Sequence, residues 1–341
     1  MTTPHISIVA VGRNDNYGGD FRDRLQAFVN WTYTQLNDFG VSSEIIFVNY
    51  NPIDAAPIEE FIDWPSSSKL VEVRIITVPP TVHAEVVKDK GVKDVPVLEY
   101  VAKNVGIRRA KGAYVLCMNP DILMSKGLFK QFSQLSNGCY YRANRLDYGG
   151  DVHLSVKESL YQQLKEQVNA VWFKGVQYPF TSFNYWKYAL YGIRSSLYNR
   201  WRRFTVHLRP LLDFLSIPVY YDNIEYQFHC NASGDFMLMH REAWIDLKGY
   251  KESSYISLHV DSLMVLQAAF SGLSEKICWS PIYHRDHERR FDAVGKDNPD
   301  QQEVYKSFRE DIAQMVASGK PKIYNDDGWG LSAQTLPERI V

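Results

Sequence analysis

The stretch AKNVGIRRAKGAYVLCMNPDI, Ala102 to Ile122, carries the strongest structural signal of the sequence. It predicts a helix, a Lys111-Gly112 turn, a short apolar strand and then the polar triplet Asn119-Pro120-Asp121. A helix that leads directly into a buried strand is typical of the βαβ units of a parallel sheet. An acid placed directly after such a strand lies at the carboxyl edge of the sheet, where open α/β folds bind ligands.

The same alternation of strand and helix patterns extends to both sides of this stretch. Apolar runs bounded by turn residues predict strands at Ile6 to Val11, Glu44 to Asn49, Val71 to Val78, Ala113 to Met118 and Gly234 to Met239. Helical spacing of apolar residues predicts helices at Phe21 to Phe39, Val97 to Ala110, His240 to Leu247, Val260 to Phe270 and Gln302 to Ala317. The sequence therefore predicts an α/β fold.

Composition and charge narrow the class of protein. With 341 residues, 45% of them hydrophobic and 23% charged, the chain has enough apolar material for one large α/β unit or two coupled halves. A formal net charge of −1 argues against a general binder of nucleic acid. The first residues lack the pattern of a signal peptide and the four cysteines form no CxxC pair, so we expect a cytoplasmic protein with reduced thiols.

The segment 171–221 has an unusual composition. It contains seven Lys or Arg residues against the single acid Asp213, and fifteen of its residues are aromatic. Basic and aromatic residues in this mixture suit peripheral contact with the inner face of a membrane, and equally an acceptor cleft that stacks on sugars. A helical insertion with its aromatics packed inward is the third interpretation, and the sequence leaves all three open.

Asp121 is a candidate ligand for a hard divalent cation. Such an ion would bridge diphosphate oxygens and offset the charge that develops on a leaving nucleotide. Alternatively, Asn119-Pro120-Asp121 forms only a turn that ends the strand and caps the next helix, since Pro and Asp favour these positions.

The order of these motifs resembles GT-A glycosyltransferases, particularly family-2-like enzymes. The resemblance covers roughly the first 145 residues and the stretch Gly234 to His287, and it rests on a polar turn after the first strand, the pattern N-x-G-x-R-x-A-x-G, and a D-x-D-like triplet. It implies a mixed central sheet with flanking helices. The implied regions are a nucleotide-sugar-binding half at 1–145, a helical, aromatic-rich insertion at 146–230, a catalytic half at 231–290 and a C-terminal helix and tail at 291–341.

The resemblance also implies a donor site. Gly12, Arg13 and Asn49 would line the nucleoside pocket, and Asn104 and Arg108 would border the nucleotide. Asn119 and Asp121 take the D-x-D places, although Asn119 stands where the first aspartate is usual, and Asn49-Tyr50-Asn51 replaces the usual acids after the second strand.

Asp261 falls on the acid that opens a helix in family-2-like enzymes, eleven residues before Gly272. The resemblance implies that Asp261 is the base that takes the proton of the acceptor hydroxyl in an inverting transfer. Taken without the resemblance, Asp261 is an N-cap residue. Glu252 and Asp235 are the alternative acids, and Asp235 is placed to contact the donor or acceptor sugar.

The run Tyr283 to Arg290 contains His284 and His287, three residues apart beyond a predicted strand. Imidazole binds Mn²⁺ as well as softer ions, so we expect His284 or His287 to join Asp121 in holding Mn²⁺ or Mg²⁺. The alternative is that both histidines are solvated surface residues.

The resemblance implies a hexosyltransferase-type enzyme of polysaccharide biosynthesis. It would move a sugar from a UDP-sugar to a glycan or lipid-linked acceptor. Motifs for nucleotide hydrolysis, esterase chemistry and NAD-dependent hydride transfer are absent from the sequence. Two alternatives remain: a nucleotidyltransferase, and a non-catalytic glycan- or membrane-binding protein on a decayed transferase fold, which Asn119 and the Val260 found where a Glu often precedes the base would suggest.

Overall fold

The computed structural model describes residues 3–54, 57–149, 160–164, 166–173, 176–181, 215, 228–230, 232–253, 256–286 and 299–341. The strands in these ranges are β1 (Ile6–Gly12), β2 (Ser43–Tyr50), β3 (Val71–Val78), β4 (Tyr114–Cys117), β5 (Ile122–Met124), β6 (Cys139–Tyr148), β7 (Val168–Phe173), β8 (Val176–Pro179), β9 (Met237–His240), β10 (Ser274–Arg285) and β11 (Glu338–Ile340). The α-helices are α1 (Phe21–Asp38), α2 (Ile58–Phe61), α3 (Pro80–Lys90), α4 (Glu99–Arg109), α5 (Lys126–Gln131), α6 (Leu160–Leu164), α7 (Arg241–Asp246), α8 (Val260–Phe270) and α9 (Pro299–Ser318).

The eleven described strands form one mixed sheet. The main path has the order β11-β3-β2-β1-β4-β9-β6-β10-β5, and β7 joins β6 and β8 beside it. Strands β1 to β4 are mutually parallel. Strand β9 is antiparallel to both β4 and β6, and β6 is parallel to β10. Strands β1 to β4, β6 and β10 therefore all end at the same edge, which we call the carboxyl edge, and β9 begins there.

Both faces of the sheet are covered. On one face Ile8 of β1 belongs to a buried cluster with Leu25 and Phe28 of α1. On the other face Val9 belongs to a second cluster with Val105 of α4. Because successive side chains of a strand point to opposite faces and both faces are buried, the central strands are nearly continuous apolar runs, which is why their sequences predict them so clearly.

Helix α4 lies unusually close to the sheet. A Cβ atom built on Gly106 would overlap Val9 Cγ1 and lie 3.1 Å from Val48 Cγ2, so only glycine fits this position without a shift. A short connection leads from α4 into β4, so the first residues of α4 lie at the carboxyl edge and its last residues at the opposite edge. The C-terminal segment packs along the end of α4, where Arg109 donates to the carbonyls of Gly330 and Leu331 at 2.6 and 2.8 Å.

The α/β fold with a mixed sheet and flanking helices is confirmed, and the predicted elements agree with the observed ones within a few residues. The predicted strand Gly234 to Met239 is shorter, because a 3₁₀ turn at Ser233–Asp235 precedes β9. Most of the segment 171–221 lies outside the described residues. The described parts of the region 146–230 include α6 and also the strands β7 and β8, which extend the sheet.

The structure also describes the cysteines and the apolar character of the helices. The four cysteines, all of them within the described ranges, form no disulfide bond. A helix with the length and apolar character needed to cross a bilayer is not found in the described part of the chain.

Candidate functional site

Polar side chains converge where the strands reach the carboxyl edge. They come from the ends of β6 and β10, from the loop after β4 and from the segment before β9, and include Asn119, Asp121, Asp147, Asp235 and His284. Four separate segments of the chain therefore supply one polar cluster, which we call the edge cluster. Three of these side chains, those of Asp147, Asp235 and His284, belong to residues that are less than a tenth exposed.

His284 lies at the centre of the carboxylates. Its Nε2 is 3.8 Å from Asp121 Oδ2, and its Nδ1 is 3.4 Å from Asp147 Oδ1. Ligand atoms of Asp147, His284 and Asp286 also lie within 4.8 Å of one another. The predicted pair of Asp121 and His284 is thus brought together, and imidazole with carboxylate oxygens is a donor set that fits Mn²⁺. His287 lies outside the described residues.

Two buried arginines hold these carboxylates. Arg24 of α1 donates to Asp121 Oδ2 at 3.1 Å and to Asp20 Oδ1 at 2.9 Å. Arg145 of β6 donates to Asp147 Oδ1 at 2.6 Å and to Asp235 Oδ2 at 2.8 Å. A guanidinium paired with carboxylates in this way fixes their direction as well as offsetting their charge.

The ion pairs keep Asp147 ionised. Burial alone would raise the pKa of its carboxyl group, but hydrogen bonding to His284 and the charge of Arg145 outweigh burial and lower that pKa to about 2. Sequence reasoning missed Arg24 and Arg145. A signal was present for Arg24, which stands on the apolar side of α1 beside Leu25. Strand β6 carries Arg142, Asn144 and Asp147 besides Arg145, so its pattern does not single out Arg145.

The ends of β1 and β2 bring Gly12 and Asn49 side by side, since these residues are register partners. Asn49 is 3% exposed and its Oδ1 has no hydrogen-bond partner, while the next residue after Gly12, Arg13, has a buried Nε without a partner. A Cβ atom on Gly12 would lie 2.5 Å from the Phe21 ring, so packing already explains this glycine. Among the described residues of the carboxyl edge, Asn49 Oδ1 is therefore a buried acceptor and Arg13 Nε a buried donor that a bound molecule could satisfy.

Asp261 is the second residue of α8. His259, with φ of 63°, is the N-cap residue of this helix, so the N-cap interpretation of Asp261 is wrong. Its Oδ2 accepts the backbone N–H of Gly234 at 2.7 Å, and its Oδ1 accepts that of Ser262 at 2.8 Å. Asp261 therefore contacts Gly234, the residue directly before Asp235 of the edge cluster. The side chain of Asp261 is part-buried.

Glu252, the alternative acid, is committed to other contacts. Its Oε1 accepts Asn104 Nδ2 at 2.9 Å and the backbone N–H of Gly330 at 2.8 Å, and its Oε2 accepts Lys90 Nζ at 2.9 Å. The residue is 2% exposed. Glu252 thus ties the C-terminal segment to α3 and α4, and the geometry favours Asp261 over Glu252 as an acid that can meet a substrate.

Asn104 and Arg108 are not brought to the edge cluster. The amide of Asn104 is buried and exchanges hydrogen bonds with the backbone of Tyr250. Arg108 lies near the C-terminal end of α4, where its guanidinium is 4.9 Å from the ring of Trp329. A helix that crosses back over a parallel sheet carries its last turn to the opposite edge, where Arg108 contacts Trp329, and the role of Asn104 and Arg108 at the nucleotide stays a prediction.

Lys103, which sequence reasoning also missed, connects Asn119 to the segment before β9. Its Nζ donates to Glu99 Oε1 and Asn119 Oδ1, both at 2.8 Å, and to the carbonyl of Gly234 at 3.0 Å. Burial alone would lower the pKa of Lys103, but the charge of Glu99 outweighs burial and raises that pKa above the ordinary lysine value. A charged ammonium is therefore enclosed beside the edge cluster.

Comparisons with known proteins give structural likeness only. No protein-family model matches the chain, and a search of curated proteins found no match. Among solved structures, GalNAc-T7 with UDP, GalNAc and Mn²⁺ matches with a TM-score of 0.47 and 11% identity, over 95% of this chain and 52% of that one. Residues 1–349 of S. aureus TarS match with a TM-score of 0.38 and 10% identity, over 82% and 60%.

This chain therefore spans about half the length of the GalNAc-T7 chain and 60% of the TarS chain. The TM-scores and identities are too low to carry function across, so the functional argument rests on the residues of the carboxyl edge.

Proposed function

We propose that this chain is a glycosyltransferase that moves a sugar from a UDP-sugar to a glycan or lipid-linked acceptor, with inversion and with the help of a divalent metal ion. One observation carries the proposal: Asp121 and His284, from different parts of the chain, meet 3.8 Å apart at the carboxyl edge of a mixed α/β sheet. Open α/β folds bind nucleotides at this edge, and the pair supplies ligands for an ion beside them.

The nucleoside end of the donor is assigned to Asn49 and Arg13. Leaving a buried acceptor such as Asn49 Oδ1 without a partner costs about 1–3 kcal/mol, which a bound ligand would recover. The imide N–H of a uracil base is a donor of the required type. The guanidinium of Arg13 lies 3.9 Å from Asp15, which is too long for a hydrogen bond. Arg13 can therefore turn towards an anionic donor with little loss of interaction energy to Asp15.

Asp121 and His284 would hold Mn²⁺ or Mg²⁺, with Asp147 and Asp286 close enough to complete or orient the ligand set. When bound, such an ion offsets the negative charge that develops on the leaving diphosphate. Arg145 donates to His284 Nδ1 at 2.8 Å, so Nδ1 is the accepting nitrogen, and Nε2, which faces Asp121, would release its proton on binding the ion.

The base of the reaction is assigned to Asp261. In the proposed step an acceptor hydroxyl gives its proton to the Asp261 carboxylate as its oxygen bonds to the anomeric carbon. The bond from that carbon to the diphosphate oxygen breaks on the opposite face, and UDP leaves with the electron pair. The two backbone N–H groups that Asp261 accepts hold the carboxylate in one orientation during this transfer.

The test is donor cleavage. The purified chain is incubated with a panel of UDP-sugars and candidate acceptors, with Mn²⁺ or with a chelator, and released UDP is measured. We expect UDP release from one donor that needs the ion and is lost in Asp261→Asn. Release of pyrophosphate instead would indicate a nucleotidyltransferase, and metal-independent UDP binding without cleavage of any donor would indicate a decayed, non-catalytic binder.

Peripheral contact with a membrane through 171–221 is proposed from composition alone, since most of this segment lies outside the described residues. We expect the chain to act at the cytoplasmic face of a membrane that carries a lipid-linked acceptor. We expect the chain to cosediment with anionic vesicles and to lose this binding when Arg200, Arg202 and Arg203 are neutralised. Unchanged cosedimentation of that variant would contradict the proposal.

A further inference from the structure

The ammonium of Lys103 joins three parts of the chain. Lys103 is 0% exposed, and each of its three N–H bonds has an acceptor: Glu99 on its own helix, Asn119 after β4 and the Gly234 carbonyl before β9. Glu99 in turn accepts from Ser257 Oγ at 2.6 Å, in the loop that leads to α8. A lysine buried at this depth is retained only where its charge is fully used.

Asn119 continues the connection towards the proposed ion. Its Oδ1 accepts from Lys103, and its Nδ2 donates to Asp235 Oδ1 at 2.7 Å. The other oxygen of Asp235 accepts from Arg145, whose Nη2 lies 2.8 Å from His284 Nδ1. An amide can accept on one side and donate on the other, which is what the two neighbours of Asn119 require.

An aspartate at position 119 could not make both contacts. It would set two carboxylates at hydrogen-bond distance, where both cannot stay ionised. The asparagine that departs from the D-x-D pattern is therefore explained by its neighbours, without any reference to a metal ion.

We propose that Lys103 and Asn119 are positioning residues that form a relay, Lys103–Asn119–Asp235–Arg145, between the base and the ion site. The relay fixes the segment whose Gly234 N–H holds Asp261 and, at its other end, the arginine that contacts His284. Asn119 is accordingly not a metal ligand, and restoring an aspartate there harms the site. The roles of Asp261 and His284 rest on the proposed function, whereas the relay itself is testable without it.

The experiment compares Asn119→Asp with the swap Asn119→Asp/Asp235→Asn in the full chain. The swap keeps the total charge and restores one donor and one acceptor between the two positions. Asn30→Asp is the matched control, because Asn30 is exposed on α1 and the change adds the same charge away from the edge cluster. Thermal unfolding is followed at one neutral pH, and Mn²⁺ affinity is measured by calorimetry.

We expect Asn119→Asp to lower the unfolding midpoint by about 5 °C, because the Asp235 oxygen loses its donor and faces a second carboxylate. The swap should recover most of the unfolding temperature that Asn119→Asp loses, and Asn30→Asp should unfold at the same temperature as the native chain. Asn119→Asp should bind Mn²⁺ no more tightly than the native chain.

The relay is wrong if Asn119→Asp binds Mn²⁺ more tightly than the native chain, since position 119 would then be a metal position. The relay is also wrong if Asn119→Asp/Asp235→Asn is no more stable than Asn119→Asp, because the Asn119 amide would then only fill space and its hydrogen bonds would not matter. A chain that cleaves no UDP-sugar but gives the expected midpoints and affinities would reject the proposed function and leave the relay intact.

Discussion

The guanidinium of Arg24 and the His284 imidazole share one oxygen of Asp121: Arg24 Nη1 donates to Oδ2 at 3.1 Å, and His284 Nε2 lies 3.8 Å from it. Helix α1 and strand β10 therefore meet over a carboxylate that follows β4. Because Arg24 also binds Asp20 and the carbonyl of Tyr17, its position is set by α1 and the loop before it. Asp121 is thereby aimed at His284.

This arrangement predicts that Asp121→Asn and His284→Ala each weaken Mn²⁺ binding. We expect a loss of about 10–100-fold, because each change removes a ligand or the charge that attracts the ion. Calorimetry or the Mn²⁺-dependent rise in unfolding temperature measures the effect. Asp89→Asn, an exposed acid of α3, is the control and should bind as the native chain does. Unchanged affinity in both variants would reject the ion site.

Asp261→Asn should abolish most transfer while leaving the fold in place. An amide cannot take the acceptor proton, so we expect turnover to fall by roughly 10²–10⁴-fold. The amide oxygen can replace only one of the two carboxylate acceptors, so either the Gly234 or the Ser262 N–H faces the amide NH2, and we expect the chain to stay folded with a loss of about 1–3 kcal/mol in the free energy of unfolding. Asp246→Asn, an exposed acid at the end of α7, is the matched control. Near-normal turnover of a folded Asp261→Asn would assign the base elsewhere.

Glu252→Gln should act on stability instead. The change removes the charge that pairs with Lys90 and, if the amide oxygen stays on Asn104 and Gly330, turns the amide NH2 group towards the Lys90 ammonium. We expect a loss of about 2–3 kcal/mol in the free energy of unfolding, measured with denaturant. Turnover per folded molecule should stay within a few-fold of native, and Glu303→Gln on the exposed side of α9 should be neutral. A large loss of turnover without loss of stability would make Glu252 a rival to Asp261.

His229 should make the chain less stable in mild acid. Burial, together with the nearby charge of Arg142, lowers the pKa of His229 to about 3. Between the ordinary histidine pKa and pH 3 the unfolded chain binds a proton that the folded chain does not, so stability falls as pH falls, by about 1.4 kcal/mol per pH unit. In His229→Gln the slope between pH 6 and pH 4 should be smaller by this amount. An identical slope in both proteins would contradict the assignment.

Gly106→Ala should destabilise the fold although alanine favours helices. A Cβ atom would overlap Val9, and relieving the overlap costs about 1–3 kcal/mol, more than the gain of roughly 1 kcal/mol in helix propensity. The free energy of unfolding measures the balance. Gly138→Ala is the control, because a Cβ atom there meets nothing within 4 Å. A variant as stable as native would show that α4 can move away from β1.

The central strands and long helices were predictable from sequence because their patterns are local. The run Ile6 to Val11 is apolar except for Ser7, the run Val71 to Val78 keeps five apolar residues among three polar ones, and Phe21 to Phe39 keeps helical spacing. Position after a strand was also informative: Asn49 and Asp121 were expected at the carboxyl edge, and both lie there. The roles of these residues remain predictions.

The contacts inside the edge cluster were beyond sequence reasoning. Arg24, Lys103 and Arg145 are each buried against carboxylates or amides that come from distant segments, and the sequence does not state which segments supply these partners. The motif that contains Asn104 and Arg108 likewise does not state at which edge of the sheet each turn of α4 lies, and their role at the nucleotide stays a prediction.

By itself the sequence determined the order of elements, their types and the strand ends at which polar residues stand, because hydrophobic periodicity and turn chemistry act over a few residues. Only the tertiary structure decided which polar groups meet. Hydrogen bonds such as Asn119 to Asp235 and Arg24 to Asp121 join residues 116 and 97 positions apart. Such contacts depend on the register and order of strands across the whole sheet, which no local pattern specifies.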